Sequence, residues 1–279
     1  MSETDRLRQV CYSESSGLRS MHKTRAILRT LLLLACASMA SPYWPARAAS
    51  GCGLPAGLYE HRKTVQVLSD AQREIDHTYV EFMKAVAQSY AQGDAASVNT
   101  CCAAAKHDLV GFQFCALVRY LLSDKKESGS FLAAMPETKD QREALWMMDH
   151  ISAGGTMETP TSLPGIRLPD GLLFKFVDEI FDLVRRGNAT AAEKYLFLYE
   201  DADGEFGEYM DDQLPKLFLN YPQRVLALWP IFKKHYKRLE MMRGFITENE
   251  AKRIVARYRG LCKANDSRCA EIRNIFVEH

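Results

Sequence analysis

Residues 58–92 read LYEHRKTVQVLSDAQREIDHTYVEFMKAVAQSYAQ, and their pattern decides the fold class. Val65, Leu68, Ala71, Ile75, Tyr79, Phe82, Val86 and Tyr90 recur at intervals of three and four. That is the period of one face of an α-helix. Gly93 closes the run, so one long amphipathic helix is predicted over 58–92.

The same period continues outward. Ala95–Lys106 is a small-residue helix carrying Cys101 and Cys102. Asp108–Ser123 is a second, with Leu109, Phe112, Cys115, Ala116, Val118 and Leu122 apolar. Ser130–Met135 is short, because Pro136 breaks it. Glu137–Ile151 follows, with Ala144, Leu145 and Met148 turned inward. Near the end, Thr247-x-x-Glu250 is a capping box opening a helix from Glu248 to about Ala264, and Ser267 caps a last helix through Phe276. Alternating β-branched runs closed by Asn-Gly turns are absent. The expected fold is all-α and multi-helix.

The beginning of the chain reads differently. Lys23, Arg25 and Arg29 precede the apolar run TLLLLACASMA, and Ala46-Arg47-Ala48 supplies a small-x-small cleavage site. That is the order of a secretory signal peptide, with Met21 as its start and residues 1–20 an extension. The apolar run is too short for a transmembrane helix, which needs about 20 residues. An alternative places a lipid anchor on Cys36, after LLA. The expected location is periplasmic or extracellular.

Six cysteines follow residue 48: Cys52, Cys101, Cys102, Cys115, Cys262 and Cys269. An even number behind a secretory signal predicts disulfides. Cys262 and Cys269 enclose the turn-rich KANDSR and form one pair. Adjacent Cys101 and Cys102 rarely bridge each other, so Cys115 takes one of them and Cys52 the other. No C-x-x-C is present, and no metal site or cofactor is expected. Residues 1–48 hold seven of the chain's 36 Lys/Arg and three of its 35 Asp/Glu, leaving 29 against 32 and a net charge of −3. Such a balance gives no electrostatic reason to bind nucleic acid. No later segment is long and apolar enough to span a membrane.

Residues 152–165, SAGGTMETPTSLPG, lack an apolar period and read as a linker. They divide a disulfide-stapled helical region, 49–151, from a helical-hairpin region, 166–279. The second region carries a weak internal repeat. An offset of 33 residues aligns Asp170-Gly171 with Asp203-Gly204, Phe176 with Tyr209, Val177 with Met210 and Asp178 with Asp211. It also aligns Phe181 with Leu214, Val184 with Leu217, Ala192 with Val225 and Leu196 with Trp229. Prolines at Leu214-Pro215 and Trp229-Pro230 are expected to interrupt two helices, a habit that resembles HEAT-type repeats.

Residues 199–212, YEDADGEFGEYMDD, carry seven carboxylates in fourteen positions without a Lys or Arg. Ligand spacing argues against a calcium loop. With Gly204 as the turn glycine, the first ligand would be Tyr199 and the twelfth Met210. A helix entry fits better. Asp203 caps it, Phe206, Met210, Leu214 and Leu217 face inward, and Glu205, Glu208 and Asp212 face outward. A basic counterpart lies at 231–259, where Lys233, Lys234, Lys237, Arg238, Arg243, Lys252, Arg253, Arg257 and Arg259 face only Glu240, Glu248 and Glu250.

Two short motifs invite an enzymatic reading. Glu127-Ser128-x-x-Phe131 and Met135-Pro136-x-Thr138 resemble the catalytic neighbourhood of lytic transglycosylases, which are helical, periplasmic enzymes built on one glutamate. The Gly-Leu-Met-Gln run that separates these elements in that family is missing here. The resemblance implies Glu127 as the general acid of a cell-wall glycan-cleaving enzyme. G-x-S-x-G, H-E-x-x-H, the P-loop and the dinucleotide glycine pattern are absent. The leading expectation is therefore a secreted, non-enzymatic binding module whose partner is another envelope protein. Its candidate binding residues are Glu205, Glu208, Asp212, Lys233, Lys237, Arg253 and Arg257.

Overall fold

The structure, a computed structural model, describes residues 52–154, 162–168, 171–202, 204–262 and 266–277. The expected signal peptide, Met21, Cys36 and the Asp203 cap lie outside them. The described residues hold α-helices and two 3-10 turns and no strand, so the fold is all-α.

The quoted stretch forms two helices, α1 (Leu58–Thr64) and α2 (Asp70–Ala91), where one was predicted. The break is a competition that local capping wins. The Ser69 hydroxyl accepts from the Gln72 amide, and the Gln72 side chain accepts from the Leu68 amide at 2.6 Å. These bonds satisfy donors at a helix start that a continuous helix would not have. The consequence is that Leu68 takes a left-handed φ of 62° and is exposed. Ile75, Tyr79, Phe82 and Val86 are buried, as their period predicts.

Next come α3 (Ala95–Ala104), α4 (Leu109–Leu122), α5 (Ser128–Ala133) and α6 (Lys139–Ser152). Cys52 bonds to Cys101, and Cys102 to Cys115, with Cα separations of 5.1 and 5.4 Å. Both lie within ordinary disulfide reach. Helix α4 packs against α2, α3, α5 and α6, and it is covered nearly all round. Phe112, part of its apolar pattern, is instead 40% exposed. The buried Asp108 caps α4 by accepting from the Gly111 amide. It also accepts from the Tyr59 amide and the Tyr79 hydroxyl. Thr138 and Gln141 form a capping box at the start of α6.

The later helices are α7 (Leu172–Arg185), α8 (Ala189–Glu200), α9 (Gly204–Asn220), α10 (Pro222–Phe232), α11 (Tyr236–Met242), α12 (Glu248–Leu261) and α13 (Ser267–Phe276). Short 3-10 turns at Lys233–His235 and Arg243–Phe245 flank α11. The Thr247–Glu250 capping box opens α12 as predicted. The last cap is Asp266, whose side chain accepts from the Arg268 amide, with Ser267 the first helical residue. Cys262 bonds to Cys269 across the α12–α13 turn.

The 33-residue offset carries α7 onto α9 and α8 onto α10 almost end to end. Val177/Met210, Phe181/Leu214, Val184/Leu217, Ala192/Val225 and Leu196/Trp229 are buried in both copies. A third copy would cover 238–251, which falls across α11, the second 3-10 turn and the start of α12. Two pairs fall short of the three that a repeat array needs, so a HEAT-type array is not established. The prolines also behave differently from expectation, because α9 runs through Pro215 and α10 through Pro230. Proline removes one amide donor to the carbonyl four residues earlier. At Pro230 that acceptor is the Leu226 carbonyl, and Arg268 Nη1 donates to it at 3.3 Å.

Residues 48–279 cluster as one compact unit, and a single hydrophobic core runs from Leu54 to Phe276. Across the 152–165 stretch, α6 packs on α7. The tie is specific. Gly171, the N-cap of α7, has no side chain to cap with, and Asp149 of α6 accepts from the Leu173 amide at 2.8 Å instead. A Cβ at Gly171, where φ is +120°, would lie 2.9 Å from that carboxylate oxygen.

Candidate functional surface

Glu200, Asp201, Asp211 and Asp212 of the acidic stretch each have a partner. Glu200 meets His235 Nδ1 at 2.7 Å. Asp201 pairs with Arg142, a buried residue of α6 whose guanidinium also stacks over Phe197 at 4.9 Å. Asp211 is buried and accepts from the Tyr199 hydroxyl, and burial pushes its carboxyl above the usual range. Arg238 lies over the Tyr199 ring at 4.2 Å and donates to the Ala202 carbonyl at 3.0 Å. Of the nine Lys and Arg named at 231–259, Arg238 therefore does dock on the acidic segment. Asp212 pairs with Lys216 one turn on. Glu205 and Glu208 remain exposed and make no ion pair among the described residues. No cluster of three potential metal ligands occurs among those residues either.

The predicted basic residues separate into two groups. Lys233 reaches Glu271 at 2.7 Å, and the same carboxylate accepts from the Trp229 ring nitrogen at 2.6 Å. These bonds hold the Glu271 carboxyl below its ordinary range. Lys233 is thus part of the α10–α13 packing. Lys237 is exposed and has no ion pair among the described residues.

Arg253 and Arg257 stand one helical turn apart on the open side of α12. Together with Leu219, Asn220 and Ala256 they line a hollow of about 480 Å³ at the end of α9. Both are exposed and unpaired among the described residues. Asp212 lies close enough to Glu250 to raise its pKa, although the Thr247 hydrogen bonds prevail and lower it. Helices α9 and α12 therefore run side by side in the same direction. Their shared face is acidic at one end, with Asp212 and Glu250. At the other it is basic, with Arg253 and Arg257.

Glu127 sits at the N-cap of α5, exposed and without a side-chain cap bond. A general acid needs burial to hold its proton near neutral pH, and this position supplies none. Phe131 and Met135, the other residues of the resemblance, are core residues. Phe131 stacks on Tyr120 at 4.5 Å between ring centres and on Phe176 at 6.1 Å. Packing accounts for both.

No protein-family profile, curated protein or solved structure shows significant similarity to the chain. The functional reading therefore rests on the surface itself. Sequence reasoning named Arg253 and Arg257. It missed a second hollow that adjoins this one across Ala256, because that hollow's apolar floor comes from three separate segments.

Proposed function

We propose that this chain is a secreted, non-enzymatic interaction module that binds another envelope protein through the cationic face of α12. The disulfides support an oxidising compartment. Among the described residues no helix is long and apolar enough to cross a membrane. The observation that carries the reading is the Arg253–Arg257 hollow. Like charges at i, i+4 on a helix repel by about 0.2–0.5 kcal/mol. Here neither arginine makes an ion pair among the described residues, and Glu250 is near enough only to feel the charge of Arg253, whereas Lys233, Lys234 and Lys252 of the same segment are paired. A carboxylate-bearing partner relieves that repulsion on docking and gains bidentate geometry from each guanidinium.

Cross-linked affinity capture from periplasmic extract tests this. The wild-type chain is expected to retain a defined partner, and the Arg253→Glu/Arg257→Glu variant to lose it. Retention by that double variant overturns the assignment of the surface. A peptidoglycan-cleaving activity abolished by Glu127→Gln would overturn the non-enzymatic reading.

A further inference from the structure

Adjoining the Arg253–Arg257 hollow, on the other side of Ala256 which lines both, is a groove of about 520 Å³. Its floor is apolar: Ile246 from the loop after α11, Ala251 and Val255 from α12, and Phe276 from α13. Its rim carries three cations, Arg243 and, along α12, Lys252 and Arg259, against one carboxylate, Glu248. Val277, which lines it, keeps 41% of its surface exposed, and Phe245, the chain neighbour of Ile246, keeps 61%. Single exposed apolar residues are ordinary. Here they adjoin a concave apolar floor of the size that takes a ligand or an anchoring side chain.

We propose that this groove receives an acidic amphipathic helix of the partner protein, with apolar side chains on the floor and carboxylates on the rim. The proposal rests on the interaction-module reading and gives the partner its chemistry. Rim spacing selects the occupant. Lys252 and Arg259 are seven residues apart on one helix, about 10 Å along its axis at 1.5 Å per residue. Carboxylates two turns apart on a second helix match that spacing. A single-chain lipid carries its charge at one end and matches only one of the two. Lys252 already pairs with Glu248, but both side chains are exposed. Such a pair is worth only about 0–1 kcal/mol and yields readily to a better-placed carboxylate. The mode is helix-in-groove recognition, in which i, i+3/i+4 and i+7 anchors fill the floor.

The test uses the whole secreted chain and three probes. The first is a fluorescein-labelled designed helix with leucines on one face and glutamates flanking them two turns apart. The second is the same peptide with lysine for every glutamate, and the third is vesicles of phosphatidylglycerol. The acidic peptide is expected to raise anisotropy on binding, and the lysine peptide is not. Arg259→Glu and Val277→Asp, both at exposed positions lining the groove, should each weaken acidic-peptide binding by about tenfold or more. Arg257→Glu, in the other hollow, should leave it nearly unchanged. Equal binding of the two peptides, or indifference to both groove variants, overturns the proposal. Val277-dependent binding of the vesicles in place of the peptide overturns it too and makes this a lipid surface. Partner capture that survives the groove variants but fails with Arg253→Glu/Arg257→Glu sinks the groove alone and leaves the broader reading standing.

Discussion

The Asp108 carboxylate accepts from three donors of different origin: the Gly111 amide at 2.9 Å, the Tyr59 amide at 3.1 Å and the Tyr79 hydroxyl at 2.8 Å. It therefore joins the start of α1, the middle of α2 and the N-terminus of α4. Burial raises its carboxyl above the usual range, and the hydrogen bonds pull the other way. A raised folded pKa means that the native state holds this proton more tightly than the unfolded chain does. That contribution is full below about pH 4 and is lost as pH rises through the folded value. Asp108→Asn puts an amide NH2 against donors and is expected to cost about 1–3 kcal/mol in urea unfolding. Because the variant does not titrate there, its stability gap to wild type should narrow from about pH 4 to about pH 7. A gap that widens instead would mean the anion is the stabilised form. The cap itself was readable, since Asp precedes an apolar run. Its two further donors, 49 and 29 residues away in the chain, were not.

At the scale of elements, periodicity reported which residues face inward, and it did so well for α2, α9 and the two offset helix pairs. It failed where local chemistry outcompeted it. Ser69 and Gln72 divide the first predicted helix, and the ring of Pro230 is accommodated because Arg268 takes up the freed Leu226 carbonyl. The cysteines follow the same division. Their even count was legible, whereas the choice between Cys101 and Cys102 as the partner of Cys52 depended on where α3 lies against α4. Loop-closure entropy ranks the bridges. Removing Cys52–Cys101, with a sequence separation of 49, should cost about 4 kcal/mol, and removing Cys262–Cys269, with a separation of 7, about 2.5 kcal/mol. Paired Cys→Ser variants followed by denaturant midpoint check the order. Equal losses would show that native contacts, and not loop length, set the stabilisation.

At the scale of the molecule, buried cations bridge the two sides of the 152–165 stretch. Lys194 of α8 reaches the Met135 carbonyl at 3.0 Å and Glu137 at 2.6 Å, and Arg142 of α6 pairs with Asp201. With one core beneath them, residues 49–151 and 166–279 are expected to unfold together. Calorimetry should give one transition with a calorimetric enthalpy close to the van't Hoff value. Two resolved transitions would mean that the stretch separates independent folding units.

The helical class, the helix starts marked by capping residues, the disulfide-forming cysteines and the charge bias of 231–259 are local properties, and residues three to seven apart carry them. Which charges stay available is not local. Seven carboxylates in fourteen positions looked like a site until Arg142, His235, Arg238, Tyr199 and Lys216 were placed around them, the first three from elements outside the stretch. The two hollows beside α12 are likewise made by helices that meet only in the folded chain. A helical period specifies the face that must be buried and leaves open what it is buried against.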